Sequence, residues 1–143
     1  MNSSTGFSLI ELIVVVAIIA IIATIGVPSY QSMMERGRVT SASNNLLGAM
    51  QLARSEAATR RTSVTVCASS DQSTCAGNDW SAGGLVVTSG GEVIRIIPAT
   101  SDVAITGAAI TFRSDGTPAA SGSITVDSTN NVSVNAIGHA KIE

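Results

Sequence analysis

The side chains that could do chemistry are few and scattered along this chain of 143 residues. They include a single histidine, His139, and two cysteines, Cys67 and Cys75. Asp115 and Asp127 could be read as a catalytic carboxylate pair, but both lie in turn sequences, where aspartate commonly accepts backbone hydrogen bonds. Because no phosphate-binding loop, nucleophile motif or metal-spaced cluster appears, we expect no enzymatic activity, cofactor or metal site.

The two cysteines indicate a disulfide. An even number of cysteines favours pairing in an exported chain, and the residues between Cys67 and Cys75 are polar turn formers. Closing so short a loop would stabilise the fold by about 2–3 kcal/mol on the chain-entropy model. Two free thiols are the alternative.

Glu11 is a carboxylate in an otherwise apolar stretch. From Leu9 to Val27 every residue is apolar or small except Glu11 and Thr24. As a helix, this stretch would be roughly 28 Å long, close to the hydrocarbon thickness of a bilayer. A carboxylate costs about 2.5–3.5 kcal/mol at mid-membrane and less near an end, so Glu11 needs a function.

Two common kinds of apolar segment fit this stretch poorly. A cleaved secretory signal would have basic residues before the apolar run and a small-x-small site after it. Here nothing basic precedes the run, and the residues after it, 26–30, form a poor cleavage site. A plain membrane anchor would leave Glu11 unexplained. The residues around Glu11 match a third kind of segment, and they read Gly6-Phe7-Ser8-Leu9-Ile10-Glu11-Leu12.

This run resembles the processing site of type IV pilins and type II secretion pseudopilins. The resemblance implies that a prepilin peptidase cuts between Gly6 and Phe7 and methylates the new amino group of Phe7. It also implies that Glu11 pairs with the terminal amine of a neighbouring subunit during assembly.

Charges at the amino terminus depart from the family pattern. Residues 1–5 lack the usual lysine or arginine, whereas Arg36 and Arg38 follow the apolar segment, so a positive-inside count would leave the amino terminus outside. The family places it in the cytoplasm. We follow the family and expect a single-pass inner-membrane protein with a periplasmic carboxy-terminal part, assembled into a pilus or pseudopilus, whose true start lies upstream.

Periodicity divides the rest of the chain into one helix and several strands. Apolar residues recur at three- and four-residue steps after Pro28, which predicts one helix from near Phe7 to about Arg60, with a second half that is amphipathic. From Ser63 the period changes to two. The predicted strands are Val64–Ala68, Leu85–Thr88, Val93–Ile97, Val103–Ile105, Ile110–Arg113, Ser123–Val126 and Val132–Ile137. Successive hairpins predict mainly antiparallel sheet lying on the helix.

Later motifs narrow the resemblance. They are Ala53-Arg54-Ser55-Glu56-Ala57, Trp80 before a glycine pair and an apolar strand, and Phe112-Arg113-Ser114-Asp115-Gly116. In this order they resemble the GspH/FimT family of minor pilins and pseudopilins. The resemblance implies an α+β, type IV pilin-like fold with a long amino-terminal helix packed on an antiparallel β-sheet domain. We expect a cleaved leader (1–6), a transmembrane helix (7–28), its amphipathic continuation (29–61) and a β-rich globular part (62–143).

The carboxy-terminal segment is the one candidate ligand site. Some FimT-type pilins are thought to bind DNA here through a Gly-Arg-x-Arg pattern, and in this chain the corresponding residues are Gly138-His139-Ala140-Lys141. The candidate contacts for double-stranded DNA are His139 and Lys141, with Arg113 if the fold brings it close. A net charge of −2 argues against general nucleic-acid affinity. The alternative is an edge strand on which Lys141 discourages aggregation.

Three functions remain open. The first is a minor pilin of a type IV pilus, which would contact other pilins, the prepilin peptidase and the inner membrane. The second is the H-type minor pseudopilin of a type II secretion system. The third, of a different class, is a DNA-uptake module that acts through the carboxy-terminal segment.

Overall fold

The structure is a computed structural model that describes residues 8–128 and 130–143. The chain divides after Gly37 into two compact units, residues 1–37 and 38–143. Helix α1 (Leu9–Arg60) begins in the first unit and ends in the second, and every described strand lies in the second.

The amino-terminal part of α1 is apolar and exposed on all sides. Its first turn contains Glu11, where the helix dipole favours a negative charge. The Thr24 hydroxyl donates to the carbonyl of Ile21 at 2.7 Å, so this polar group is satisfied within the helix. Pro28 lies inside α1 and does not end it, as predicted.

The carboxy-terminal part of α1 buries a single stripe. The predicted apolar positions are all buried, and they are Val39, Ala42, Leu46, Ala49, Met50, Ala53 and Ala57. Ser43 is buried on the same stripe, where its hydroxyl donates to the carbonyl of Val39 at 2.9 Å. The small side chains allow close packing, so this stripe forms one side of the hydrophobic core.

Two antiparallel four-stranded sheets complete the second unit. The first has the order β3-β2-β1-β5, with strands β1 (Val64–Ala68), β2 (Gly84–Thr88), β3 (Val93–Ile97) and β5 (Ile110–Phe112). The second has the order β4-β6-β7-β8, with strands β4 (Ile105–Gly107), β6 (Gly122–Val126), β7 (Asn130–Val134) and β8 (Ala140–Ile142). Side chains from both sheets and from α1 belong to one core cluster. The predicted α+β arrangement, a long amino-terminal helix packed on antiparallel β-sheet, is therefore confirmed.

Five of the seven predicted strands have different bounds, and of these β2 and β6 each begin only one residue earlier than predicted. The strand predicted at Val103–Ile105 lies later, as β4, because its pairing with β6 begins at Ile105, opposite Val126, the last residue of β6. The strand predicted at Ile110–Arg113 ends one residue earlier. Arg113 instead opens the predicted turn, since its amide donates to the carbonyl of Thr117 at 2.7 Å.

The carboxy-terminal hairpin also differs from the prediction. The strand predicted at Val132–Ile137 is β7, which ends at Val134. The side-chain oxygen of Asn135 accepts the amides of Ile137 (3.2 Å) and His139 (2.8 Å), and this turn reverses the chain. The chain then returns along β7 as the edge strand β8, which agrees with the edge-strand alternative for this segment.

Trp80 joins the two sheets through the core. It is 2% exposed, and its indole Nε1 donates to the carbonyl of Gly107 in β4 at 2.8 Å. Gly84 of β2 lies against its ring, because a Cβ at that position would be 2.8 Å from Cε3 of Trp80 and 2.6 Å from the carbonyl oxygen of Cys67. Trp80 is thus a core residue.

Hydrogen bonds inside the disulfide loop fix its conformation. Cys67 and Cys75 form a disulfide, and Asp71 lies at the centre of the loop it closes. The Asp71 carboxylate accepts the amides of Ser73 (2.9 Å) and Thr74 (2.8 Å) and the Thr74 hydroxyl (2.7 Å). These bonds, led by the Ser73 amide, hold the pKa of Asp71 well below its usual range, so it stays ionised.

The contact between Gly84 and Trp80 predicts opposite effects for two glycine substitutions. We expect Gly84→Ala to lower the free energy of unfolding by about 1–3 kcal/mol, because the added methyl group would overlap the Trp80 ring. Gly48→Ala is the control, since a Cβ at Gly48 meets nothing within 4 Å in the helix. It should raise stability by up to about 1 kcal/mol. Thermal unfolding of the full chain in detergent micelles measures both, and equal shifts would contradict the packing argument.

Candidate functional site

The amino-terminal candidate site is described only in part. Gly6 and Phe7, the predicted processing residues, lie outside the described residues. Glu11 is exposed in the first turn of α1. Its carboxylate is therefore available to another chain.

The apolar surface behind Glu11 is extensive. Leu9 is 75% exposed and Ile25 is 70% exposed, and an 18-residue window of α1 has a mean hydropathy of 2.9. By length and composition this helix could cross a membrane. Apolar surface of this size marks a segment that is covered by lipid or by other helices.

The second candidate site lies where three sequence motifs meet. Nη1 of Arg54, on α1, donates to the carbonyl of Gly138 in the turn before β8 at 3.0 Å. Gly116, in the turn after β5, packs beside the same helix: a Cβ there would be 3.4 Å from the carbonyl oxygen of Arg54 and 3.5 Å from Cβ of Ala58. A hydrogen bond between residues 84 apart in sequence thus fixes the carboxy-terminal segment to the helix.

Glycine is required at the centre of this junction. Gly138 has a φ of +80°, and a Cβ there would be 2.9 Å from the carbonyl oxygen of Gly116 and 3.2 Å from Nε of Arg54. Both the backbone conformation and the close approach therefore exclude larger residues.

A groove of about 430 Å³ lies at this junction, and we call it the tail groove. One wall is a face of α1 and the other is formed by the turn after β5 and by the carboxy-terminal segment. Its lining residues are Gln51, Arg54, Ser55, Ala58, Asp115, Gly116, Gly138, His139 and Ala140. The helix residues follow the three- and four-residue spacing of one helical face.

The residues predicted to contact DNA are only partly brought together. His139 lines the tail groove, and its amide is held by Asn135. Lys141 is not among the lining residues and forms an ion pair with Glu143. The guanidinium of Arg113 donates to the carbonyls of Pro118 (3.3 Å) and Ala119 (3.1 Å), so it braces the turn after β5.

The two aspartates considered as a catalytic pair lie in turns. The Asp115 carboxylate accepts the Thr117 hydroxyl (2.6 Å) and amide (2.8 Å), and these bonds lower its pKa, with a smaller contribution from the charge of Arg113. Asp127 has a left-handed backbone (φ 52°) in the hairpin turn after β6. Both positions have the turn role that the sequence indicated.

Sequence reasoning did not single out Arg54 as a site residue. Helical periodicity placed it on an outer face of α1, and its contact with Gly138 depends on how the carboxy-terminal segment folds back. The available signal was its place in the motif Ala53–Ala57, together with the glycines of two later motifs.

Two regions of this chain match known protein families. Residues 42–138 match the family described as type II transport protein GspH, and residues 1–27 match the prokaryotic N-terminal methylation motif. The chain belongs to the GspH family. The relationship inferred from the prepilin-type run and the later motifs is thereby confirmed.

Two solved structures share the fold of this GspH-family chain. Both are crystal structures of the type IV minor pilin FimU of Pseudomonas aeruginosa PAO1. One matches with a TM-score of 0.61 and 22% identity, over 78% of this chain and 92% of FimU. The other matches with a TM-score of 0.55 and 20% identity, over 73% and 91%. No curated protein sequence matches the chain.

Family membership sets the general role of the chain. GspH-family proteins are minor pilins or pseudopilins of type IV pili or type II secretion systems. The family is structural and is not known for enzymes, and pilins assemble with other pilins in a pilus. The methylation motif and the exposed apolar helix indicate a membrane-anchored pilin.

The junction at Gly138 predicts the effect of one methyl group. We expect Gly138→Ala to lower the free energy of unfolding by about 1–3 kcal/mol and to speed amide exchange in residues 135–143, because the methyl group would separate this segment from Arg54 and Gly116. Hydrogen exchange of the full chain in detergent micelles measures the local effect. Gly77→Ala is a matched control, since Gly77 also has a positive φ (+70°) but open space around it. If both substitutions lowered the free energy of unfolding equally, the positive φ alone would explain the loss, and the close contacts of Gly138 would not contribute.

Proposed function

We propose that this chain is a minor pilin of a type IV pilus, similar to FimT, whose role is structural and in assembly. After processing, its apolar helix packs among the helices of other subunits, and its β-rich part (62–143) faces the periplasm or the outside. The observation that carries this proposal is the change in burial along α1: its amino-terminal part exposes apolar residues on every side, whereas its second half buries one stripe in the core.

Processing and topology complete the proposal. A prepilin peptidase cleaves the leader (1–6) between Gly6 and Phe7 and methylates the amino group of Phe7. Residues 7–28 then span the inner membrane once, with the amino terminus in the cytoplasm, and residues 29–61 continue the helix outside the membrane. The match of residues 1–27 to the methylation motif supports this arrangement. Amino-terminal sequencing and mass spectrometry of the mature protein test it directly.

Glu11 then serves as the assembly residue. Its carboxylate would pair with the methylated terminal amine of a neighbouring subunit, and this pairing compensates for placing a charge in an apolar environment. Its exposure in the first turn of α1 supports this role.

We therefore expect Glu11→Ala to stay in the membrane but to decrease at least about tenfold in the fibre fraction, because its neighbour's amine loses its partner. Immunoblots of membranes and of sheared fibres measure this ratio. Glu35→Ala is the control, because it removes an acid of the same helix beyond the apolar stretch. Normal incorporation of Glu11→Ala would contradict the proposed role.

The minor pseudopilin H of a type II secretion system is the alternative. The name of the matching family favours secretion, whereas the two similar structures are type IV minor pilins. We favour the pilus, because the carboxy-terminal segment retains part of a basic motif. Neighbouring genes distinguish the two systems: other minor pilins and an adhesin would support the pilus, and a secretin with core pseudopilins would support secretion.

DNA binding during natural transformation is a second candidate function. The observation that favours it is the position of His139 beside Arg54 in the tail groove. Two observations weaken it: Glu143 neutralises Lys141, and Arg113 is engaged with backbone carbonyls. A phosphate contact here would be weak and sensitive to salt.

This candidate predicts a weak, salt-sensitive complex. In fluorescence anisotropy with a DNA duplex, the full chain in micelles should bind at about 50 mM salt, and Lys141→Ala should weaken binding and reduce the salt dependence by about one phosphate contact. Arg95→Ala is the control for charge, since Arg95 lies on β3, away from the carboxy-terminal segment in the sheet order. If the wild-type chain does not bind at this salt concentration, the isolated subunit is not a DNA receptor.

A further inference from the structure

Arg54 has hydrogen-bonding capacity that the fold does not use. Within the described residues its guanidinium donates to the neutral carbonyl of Gly138, whereas a guanidinium has five N–H donors. Within residues 8–128 and 130–143, the ion pairs shorter than 4.0 Å do not include Arg54. The tail groove therefore contains a cation without a carboxylate partner from the described chain.

The negative charge of Asp115, the carboxylate in the same groove, is already compensated. Asp115 accepts two hydrogen bonds from Thr117, and the charge of Arg113 also acts on it. Arg113 in turn forms no ion pair within the described ranges. Around the turn after β5, the positive charges of Arg54 and Arg113 thus outnumber the negative charge of Asp115.

The rest of the groove wall offers neutral polar groups along the helix. Gln51 contributes an exposed amide, and Ser55 contributes a hydroxyl oxygen that can accept a hydrogen bond, since its proton is donated to the carbonyl of Leu52 at 2.8 Å. Both residues line the groove with Arg54. From Gln51 to Ala58 this face is roughly 10 Å long. That length matches about three residues of extended peptide.

This chemistry fits a carboxylate better than a nucleic acid. The planar fork of arginine pairs with a carboxylate through two parallel hydrogen bonds. DNA affinity needs several cations that neutralise successive phosphates, whereas the groove has one unpaired arginine and an ionised aspartate.

We propose that the tail groove binds an acidic peptide segment of a neighbouring pilin subunit, with Arg54 holding its carboxylate. This proposal rests on the proposed assembly role. Because pilins of this family assemble with other pilins, neighbouring pilin subunits are present in the fibre as partners. A second copy of this chain can supply such a segment, because acidic residues outnumber basic ones in its residues 62–143.

The groove makes Arg54 a residue with two functions. Its Nη1 bond holds the carboxy-terminal segment against α1, and the same side chain lines the groove. The occupant and the carboxy-terminal segment are therefore coupled, since both depend on one guanidinium. Ser55→Glu is the variant that separates the functions, because it adds a carboxylate to the groove wall and keeps the guanidinium that donates to Gly138.

The test is photo-crosslinking in cells that assemble the fibre. The full chain carries the photoreactive residue p-benzoylphenylalanine in place of the exposed Gln51, and crosslinked peptides are sequenced by mass spectrometry. We expect crosslinks to a segment with aspartate or glutamate, in another pilin or a second copy of this chain. Arg54→Gln and Ser55→Glu should each reduce the yield roughly 5- to 10-fold, whereas Arg95→Gln, which removes the same charge outside the groove, should not.

Several outcomes would overturn the proposal. These are crosslinks to DNA, crosslinks only to pilin segments without acidic residues, no crosslink to any pilin, and a yield that does not respond to Ser55→Glu. Thermal unfolding of each variant shows whether a lower crosslinking yield reflects misfolding. A Ser55→Glu variant that folds normally and still crosslinks at the wild-type yield contradicts the proposal. The fibre fraction measured in parallel distinguishes the two proposals: a chain absent from the fibre contradicts the assembly role, whereas a chain present without an Arg54-dependent crosslink contradicts only the groove.

Discussion

The structure depends on one helix that meets two different requirements. Up to Gly37, α1 exposes its side chains on all sides, and most of them are apolar between Leu9 and Val27. From Val39 onward it buries a single stripe of mostly small residues. Both sheets contribute side chains to the core that covers this stripe. A surface helix of a soluble domain needs only the second pattern, so the first must be satisfied by lipid or by other subunits.

The stripe also decides where the functional surface lies. Because Ala49, Ala53 and Ala57 face the core, Arg54 and Ser55 are left outside it on the exposed side of α1. The turn after β5 and the turn before β8 meet the helix at this level. The junction needs glycine at position 138, because a side chain there would occupy the space of the Gly116 carbonyl and the Arg54 guanidinium.

Local neutralisation changes the interpretation of the basic residues. Lys141 was a DNA candidate because of its place in a motif, but Glu143, directly after β8, pairs with it. Arg113 is held by two carbonyls, whereas Arg54 donates to one carbonyl and lines the tail groove. A cation is available to a ligand only if its neighbours have not already paired it, so position in a motif is a weaker guide than the local contacts.

The sequence alone determined the features that depend on local pattern. Side-chain composition and periodicity predict the apolar stretch with Glu11, the helix that ends at Arg60 and the first three strands. These patterns are local, because each repeats within a few residues of the sequence. Tertiary structure decided the rest: the two-sheet order, the shift of β4, the return of the chain as β8, and the meeting of Arg54, Gly116 and Gly138. Those features depend on contacts between residues far apart in sequence, and a periodic pattern contains no information about which distant residues will meet.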